Sequence, residues 1–406
     1  MASPGSTSAA ALAWRGLALG VLCLAGLGCA KVGSASTAGG AGHGAAGQIG
    51  QTGEAGAPAP AGAAAESGAA GTSGGAGLQM ADAGLVVSDG ARPLDGVDAA
   101  AAGKGDAPAA EVARLTIMTV EALQVAGTHN SYHQAPLIAF DASHAYTQKP
   151  LDQQLAGGVR ALELDLHLAS DGTFQIYHIV LIDPNSSCQT LDECLGIIAT
   201  WSTANPRHTP IFIWFELKDD TGGSPITDVV PVEPVILKAF ARARIMTPAW
   251  LRGSYASPRA RLTAVGWPAL DEARGMVMFS IITHDARTMA YSHGGTSLDD
   301  RLMWVSAAST EFGQPWAVIA KDIEEPGVIA SAHAAHILLG VNTCAINMTD
   351  DACTARLHQL ASMGIHMLDD DLPFQIPGRS YWLKLPGGSP GCNPVTAPLS
   401  CSTPLE

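Results

Sequence analysis

Basic residues are scarce in this chain. Lysine and arginine number 22 against 37 aspartates and glutamates, and the formal net charge is -15. That balance argues against a nucleic-acid partner, because a phosphate backbone is gripped by a surplus of positive side chains. It argues equally against electrostatic docking on anionic lipid. It suits a cation site, although acidity serves solubility more often. Charged residues of both signs make up only 15% of the 406 positions, a deficit concentrated in an Ala/Gly-rich N-terminal stretch. Long apolar runs are missing too: the run 16–28 is too short to span a bilayer comfortably. There is no CxxC, and no histidine at ligand spacing accompanies any cysteine pair, which disfavours a cysteine-based zinc site. No internal repeat is present.

Residues 1–30 read as an export signal, with Arg15 as the single positive charge ahead of the apolar run. The run ends at Gly28-Cys29. Gly26, Leu27 and Gly28 match a bacterial lipobox in part, so lipid attachment at Cys29 is expected in preference to simple cleavage near Ala30. Residues 31–111 are a low-complexity tract of Ala, Gly, Ser and Thr that cannot bury enough apolar surface to offset chain entropy. The tract is expected to be a disordered tether of roughly 50 Å root-mean-square reach. A tether makes most sense with its far end fixed, which favours Cys29 as an anchor over free secretion.

Two of the 8 cysteines, Cys23 and Cys29, fall in the signal. The others form three close pairs: Cys188 with Cys194, Cys344 with Cys353, and Cys392 with Cys401. In an exported chain such short-range pairs read as local disulfide staples.

From 112 to 406 strand-like and helix-like segments alternate. Strands are expected over 123–128, 159–166, 174–178, 211–217, 276–282, 317–321, 337–341 and 365–368, with 302–306 as a further candidate. Amphipathic helices are expected over 150–156, 191–200, 234–244, 328–333 and 352–363. Near-continuous apolar strands separated by helices indicate a parallel sheet covered on both faces. About eight such units argue for a (β/α)8 TIM barrel as a single domain. The tail from 385, rich in Pro and Gly, reads as an extended segment held by Cys392–Cys401.

In such a barrel the C-terminal strand ends share one mouth, where the active site lies. The first strand would deliver His129 and Asn130. The second alternates so that Glu163, Asp165 and His167 share one face. The third would end at Tyr177-His178, and the fourth at Glu216 and Lys218. Three carboxylates at one mouth repel unless a cation neutralises them. Taken singly, each reads better as an internal salt bridge, with Arg160 or Lys218 for instance. Taken together, Asn130, Glu163, Asp165 and Glu216 make an all-oxygen set suited to Ca2+. Two histidines beside a cation suggest acid–base work on a phosphodiester, with one ring taking a proton and the other giving one. His133, His144, His167 and His284 read as structural or supporting.

These residues carry a family resemblance. Gly127-Thr128-His129-Asn130-Ser131-Tyr132, Glu163-Leu164-Asp165, Tyr177-His178 and Phe215-Glu216-Leu217-Lys218 resemble the catalytic X region of phosphatidylinositol-specific phospholipases C. The bacterial, calcium-dependent branch is the nearest match. Asp183 with the 188–195 segment, Gly266-Trp267-Pro268 and Cys392-Asn393-Pro394-Val395 extend the similarity over roughly 115–406. The resemblance implies a distorted TIM barrel in which the inositol 2-hydroxyl attacks phosphorus, diacylglycerol leaves and an inositol 1,2-cyclic phosphate forms. It implies His129 and His178 as the acid–base pair, leaving open which is base. It further implies Asn130, Glu163, Asp165 and Glu216 as Ca2+ ligands, and a monomer acting on a phosphoinositide headgroup at a membrane surface.

Two departures stand out. Where arginines are expected near the seventh strand end the chain reads Gly340-Val341-Asn342-Thr343-Cys344, and the last strand ends in Asp369-Asp370-Asp371. Cations near the mouth reduce to Lys218 and Lys321, the expected substrate-binding residues, with Arg252 as a third candidate. A site so poor in them should not favour highly phosphorylated inositides. Two other functions fit less well. A glycerophosphodiester phosphodiesterase of the same fold would usually open with a His-Arg pair, which His129-Asn130 lacks. A tethered lipid- or glycan-binding module would not need both histidines.

Overall fold

The computed structural model describes residues 117–219 and 223–406. The expected signal (1–30), the lipidation at Cys29 and the tether (31–111) lie outside the described residues. The strands are β1 (Leu123–Thr128), β2 (Val159–Leu168), β3 (Phe174–Ile176), β4 (Ile211–Leu217), β5 (Val277–Ile281), β6 (Trp304–Val305), β7 (Ile319–Lys321), β8 (Leu338–Cys344), β9 (Met367–Asp370) and β10 (Gly391–Cys392).

Eight of them follow one another in the order β6-β5-β4-β2-β1-β9-β8-β7, every pairing along that path being parallel. The path is bent round on itself. Its two ends meet where the Ala307 N–H donates to the Ile319 carbonyl at 2.9 Å and the Lys321 N–H donates to Ser306 Oγ at 3.0 Å. The result is the nearly closed barrel of eight parallel strands expected from the alternation of segments.

β2 and β4 show why these strands read as almost unbroken apolar runs. Every residue from Val159 to His167 is buried, as is all of β4 except Glu216. One strand face looks into the barrel and the other is covered by helices. The helices lie close to the expected stretches: Leu151–Ala156, Leu191–Ala204, Val232–Ala239, Pro326–Ala334 and Asp350–Ser362. Two of the starts are capped by threonine side chains that satisfy a free N–H group, Thr190 accepting from Glu193 at 3.2 Å and Thr349 from Ala352 at 3.3 Å. The helix expected over 234–244 stops at Ala239. Phe240 turns extended to bury its ring against Phe279, and Arg242–Arg244 form a separate 3-10 turn.

One expected barrel strand is something else. The 174–178 segment is not a staff of the barrel: β3 folds back antiparallel on β2, pairing Leu166 with Ile176 and Leu168 with Phe174. The staff that replaces it in the count is β6, at the further candidate 302–306.

Close approaches inside the barrel require glycine at two positions. A Cβ on Gly127 would lie 1.7 Å from Asp369 Oδ1. One on Gly340 would lie 2.8 Å from the Trp214 ring, beside the stem of Lys321. The three cysteine pairs form disulfides. Cys344–Cys353 ties the end of β8 to the helix Asp350–Ser362. Cys392–Cys401 closes the tail onto β10, which pairs antiparallel with β1. Three disulfides in one domain belong to an oxidising compartment.

Candidate active site

Register builds the acidic cluster. Parallel pairing sets Asp165 of β2 directly beside Glu216 of β4, and Glu163 beside Trp214. Two-residue alternation keeps Glu163 and Asp165 on one face. One ligand oxygen each of Glu163, Asp165 and Glu216 lies within 4.8 Å of the others. Glu163 and Asp165 are buried, while Glu216 is partly open at the rim.

The charges around this cluster are uneven. Lys321 Nζ donates to Glu163 Oε2 and to Asn342 Oδ1, each at 3.1 Å, and also to Asp369. Burial pushes the Glu163 carboxyl up, but Lys321 and His129 outweigh it and hold the group below its ordinary value. Asp165 fares differently. Neither of its oxygens accepts an aligned hydrogen bond, although Lys218 Nζ stands 3.0 Å from Oδ2 as an ion-pair contact. Burial, with Glu216 and Glu163 adding to it, prevails over Lys218 and pushes Asp165 up to about 7. Lys218 also pairs with Glu216 at 2.7 Å. A buried carboxylate without a hydrogen-bond donor is costly. An oxygen-seeking cation among these three groups would remove that cost. The Lys218 ammonium already lies against two of them.

His129 and Asn130 follow β1 directly. Asn130 sits in the left-handed region (φ 44), which asparagine tolerates, and its Oδ1 accepts from the Tyr132 hydroxyl at 3.1 Å. His129 Nδ1 donates to Asp371 Oδ1 at 2.7 Å, and its Nε2 lies 3.7 Å from Glu163 Oε1. Burial lowers the basicity of this ring, but Glu163 and Asp371 more than reverse that and raise it to about 9.

His178 arrives by another route. It lies past β3, where Ile179 and Asp183 exchange backbone hydrogen bonds at 3.1 and 2.9 Å across a tight turn. That turn brings Asp183 Oδ2 to 2.8 Å from His178 Nδ1. Burial, helped by Lys218 and His129, outweighs Asp183 and holds His178 below the ordinary histidine value. The site thus carries one charged and one neutral imidazole near neutral pH. Each ring has Nδ1 on a carboxylate and Nε2 free to meet a reacting atom.

The structure corrects one expected role. Lys321 does not face a substrate, because its side chain is 1% exposed and its ammonium is committed to Glu163, Asp369 and Asn342. It is an internal counter-ion, seated over the Trp214 ring at 5.4 Å. Lys218 remains at the rim, 20% exposed. Arg252 pairs with Asp299. Two residues were singled out in the sequence without their roles as partners of the histidines: Asp371, whose neighbours in the Asp369–Asp371 run masked it, and Asp183, which has no strand to mark it.

The profile of a family described as phosphoinositide phospholipase C, Ca2+-dependent, matches residues 168–327. The chain is similar to that family over this segment. The matched segment holds His178, Asp183, Glu216, Lys218 and Lys321, while His129, Asn130, Glu163 and Asp165 precede it. No curated protein matches the chain. Among solved structures, the chain is similar to a Ca2+-dependent phosphatidylinositol-specific phospholipase C of Streptomyces antibioticus, at 20% identity and TM-score 0.48 over 63% of this chain and 95% of that one. It is similar to a calcium-dependent enzyme of Pseudomonas sp. at 16% identity and TM-score 0.45, over 62% and 90%. For a phosphatidylinositol-specific phospholipase C of Staphylococcus aureus the values are 14% and 0.41, over 64% and 90%.

Proposed function

We propose that this chain is a calcium-dependent phosphodiesterase that cleaves phosphatidylinositol. One observation carries the reading: two imidazoles, each with Nδ1 on a carboxylate, stand beside a three-carboxylate cluster. The neutral ring accepts the proton of the inositol 2-hydroxyl as that oxygen attacks phosphorus. The charged ring gives its proton to the departing oxygen of diacylglycerol, leaving inositol 1,2-cyclic phosphate. Asp183 and Asp371 hold the two rings in the tautomers this exchange needs.

Glu163, Asp165 and Glu216, with Asn130 beside them, are the residues that would hold Ca2+. When bound, it supplies positive charge against the charge developing on the phosphoryl oxygens. Among the described residues Lys218 is the ammonium left at the rim for a substrate phosphate, so a headgroup without extra phosphates fits best.

Access to lipid is supported by the rim. Leu137, Ile138, Phe140, Leu181 and Ile182 are exposed on the two loops that also carry His133 and His178. The domain plan completes the reading: a signal, Cys29 as anchor, a tether and one barrel, exported and acting as a monomer at a membrane surface. The test is incubation of the full chain with phosphatidylinositol vesicles, followed by 31P NMR. Cyclic phosphate should accumulate with Ca2+ and stop in excess chelator. No product with Ca2+ present, or an undiminished rate in chelator, overturns the reading.

A further inference from the structure

A second cluster of ligating side chains lies between the loops after β1 and β3, apart from the carboxylate group. His133 is fully buried and stacks on Tyr146. Its Nδ1 faces the Tyr146 carbonyl at 3.0 Å, so Nδ1 carries the proton and donates it. Its Nε2 lies 2.9 and 2.8 Å from the two oxygens of Asp183. His178 Nδ1 is 2.8 Å from Asp183 Oδ2. His144 lies on the 3-10 turn Ala142–His144, is 7% exposed, and its Nδ1 has no hydrogen-bond partner. That nitrogen sits 3.9 Å from the same Asp183 oxygen.

Three imidazole nitrogens therefore converge on one buried carboxylate. With the His133 tautomer set by Tyr146, its Nε2 lone pair and the carboxylate are two acceptors facing each other, which needs something positive between them. A proton there serves one nitrogen and leaves His144 Nδ1 with nothing. A metal ion serves them all. We infer that His133, His144, His178 and Asp183 form a transition-metal site for Zn2+, distinct in chemistry from the all-oxygen cluster.

Three neutral nitrogens and one carboxylate are a tetrahedral zinc set, whereas hard Ca2+ prefers oxygen alone. The Nδ1–H of His133 on a backbone carbonyl is the outer support that zinc-ligating histidines use. With Zn–ligand bonds of about 2.0–2.1 Å, tetrahedral ligand atoms stand about 3.3 Å apart. His133, His178 and Asp183 already hold their ligand atoms within 4.8 Å of one another, and the His144 ring would have to swing inward from its 3.9 Å contact with Asp183 to complete the set. His178 would then give its Nδ1 lone pair to the metal and keep its Nε2 proton, taking that ring out of proton transfer. Zn2+ would inhibit turnover. This consequence rests on the role proposed for His178, whereas the binding site does not.

The experiment titrates Zn2+ into the full chain in saturating Ca2+ by calorimetry, and Co2+ as a visible-absorption probe. One Zn2+ should bind per chain, Co2+ should give a tetrahedral spectrum, and turnover should fall and return with a zinc-selective chelator that spares Ca2+. His144→Gln should weaken Zn2+ about tenfold or more while leaving zinc-free turnover unchanged, and Glu163→Gln should leave Zn2+ binding intact. Circular dichroism confirms that each variant is folded, and the unsubstituted chain already decides whether the site exists. No Zn2+ binding, an octahedral Co2+ spectrum, or binding lost in Glu163→Gln yet kept in His144→Gln overturns the site. Binding without inhibition overturns only the role of His178.

Discussion

His129 and Asp371 are 242 positions apart in the chain and 2.7 Å apart in space. The signal for that contact was present in the sequence. In a strand ending Asp369-Asp370-Asp371, alternation sends the first and third side chains one way and the second the other. Asp369 meets Lys321 and Asp371 meets His129 inside the barrel, whereas Asp370 accepts from Thr343 and Tyr381, each at 2.6 Å. The convergence of Glu163, Asp165 and Glu216 was legible for the same reason. The burial of Lys321 was not, because a lysine at a strand end reads alike whether it meets solvent or carboxylates. Asp371→Asn removes one of the two carboxylates that keep the His129 ring charged. Its pKa, about 9 in the intact protein, should fall toward the ordinary histidine value. Turnover should drop by roughly 10²–10⁴, with the pH profile displaced in the same direction. NMR titration of the ring and kcat against pH check this, and an unmoved profile would assign Asp371 a purely structural part.

At the scale of elements, the mistaken barrel strand is instructive. Parallel neighbours need a crossover of about a dozen residues or more, and only the five residues 169–173 separate β2 from β3. Within them Asp171-Gly172, with Gly172 at φ 86, is a hairpin turn by composition. Strand propensity at 174–178 concealed a connection length that forbade the parallel reading. β6 was harder to find, since only Trp304 and Val305 pair. The hairpin has a use: it throws the 177–187 loop against the loop after β1, where Ser187 N–H donates to the Tyr132 carbonyl at 2.8 Å and Gln134 N–H to the Asn185 carbonyl at 3.3 Å. The tips of this joined pair carry Phe140 and Leu181, 76% and 87% exposed. Replacing both by aspartate should cut the rate on zwitterionic vesicles containing phosphatidylinositol by about tenfold or more. Burying each apolar side chain in the bilayer is worth roughly 1.5–3 kcal/mol. The rate on a short-chain, monomeric substrate should stay within about twofold, and equal losses on both would remove the lipid-facing role of the loops.

For the whole molecule, the alternation of apolar strands and helices announced a barrel, and close cysteine spacing announced its three staples. The closure itself was not legible, because it depends on which edges meet. The lower end of the barrel holds a pH liability. His366 is buried before β9, accepts from the Leu339 N–H at 3.0 Å through Nδ1, and has no partner at Nε2. Burial, with His333 adding to it, lowers this ring to about 3 from 6.5. The unfolded chain therefore binds a proton that the folded one refuses. The contribution is intact above pH 6.5 and is lost as pH falls from there toward 3. At the acid limit the loss is roughly 3–5 kcal/mol. Thermal melts should show Tm falling over that window. His366→Asn, whose carboxamide oxygen can keep the Leu339 contact, should flatten the fall, and an unchanged slope would place the acid sensitivity elsewhere. The barrel's last seam has a consequence of its own. A cylinder stitched along seven borders and merely pinned between Ala307 and Ile319 has a preferred direction of give. The staff beside that pin bears Lys321, so any parting of the wall would tug first on the cation that keeps Glu163 ionised.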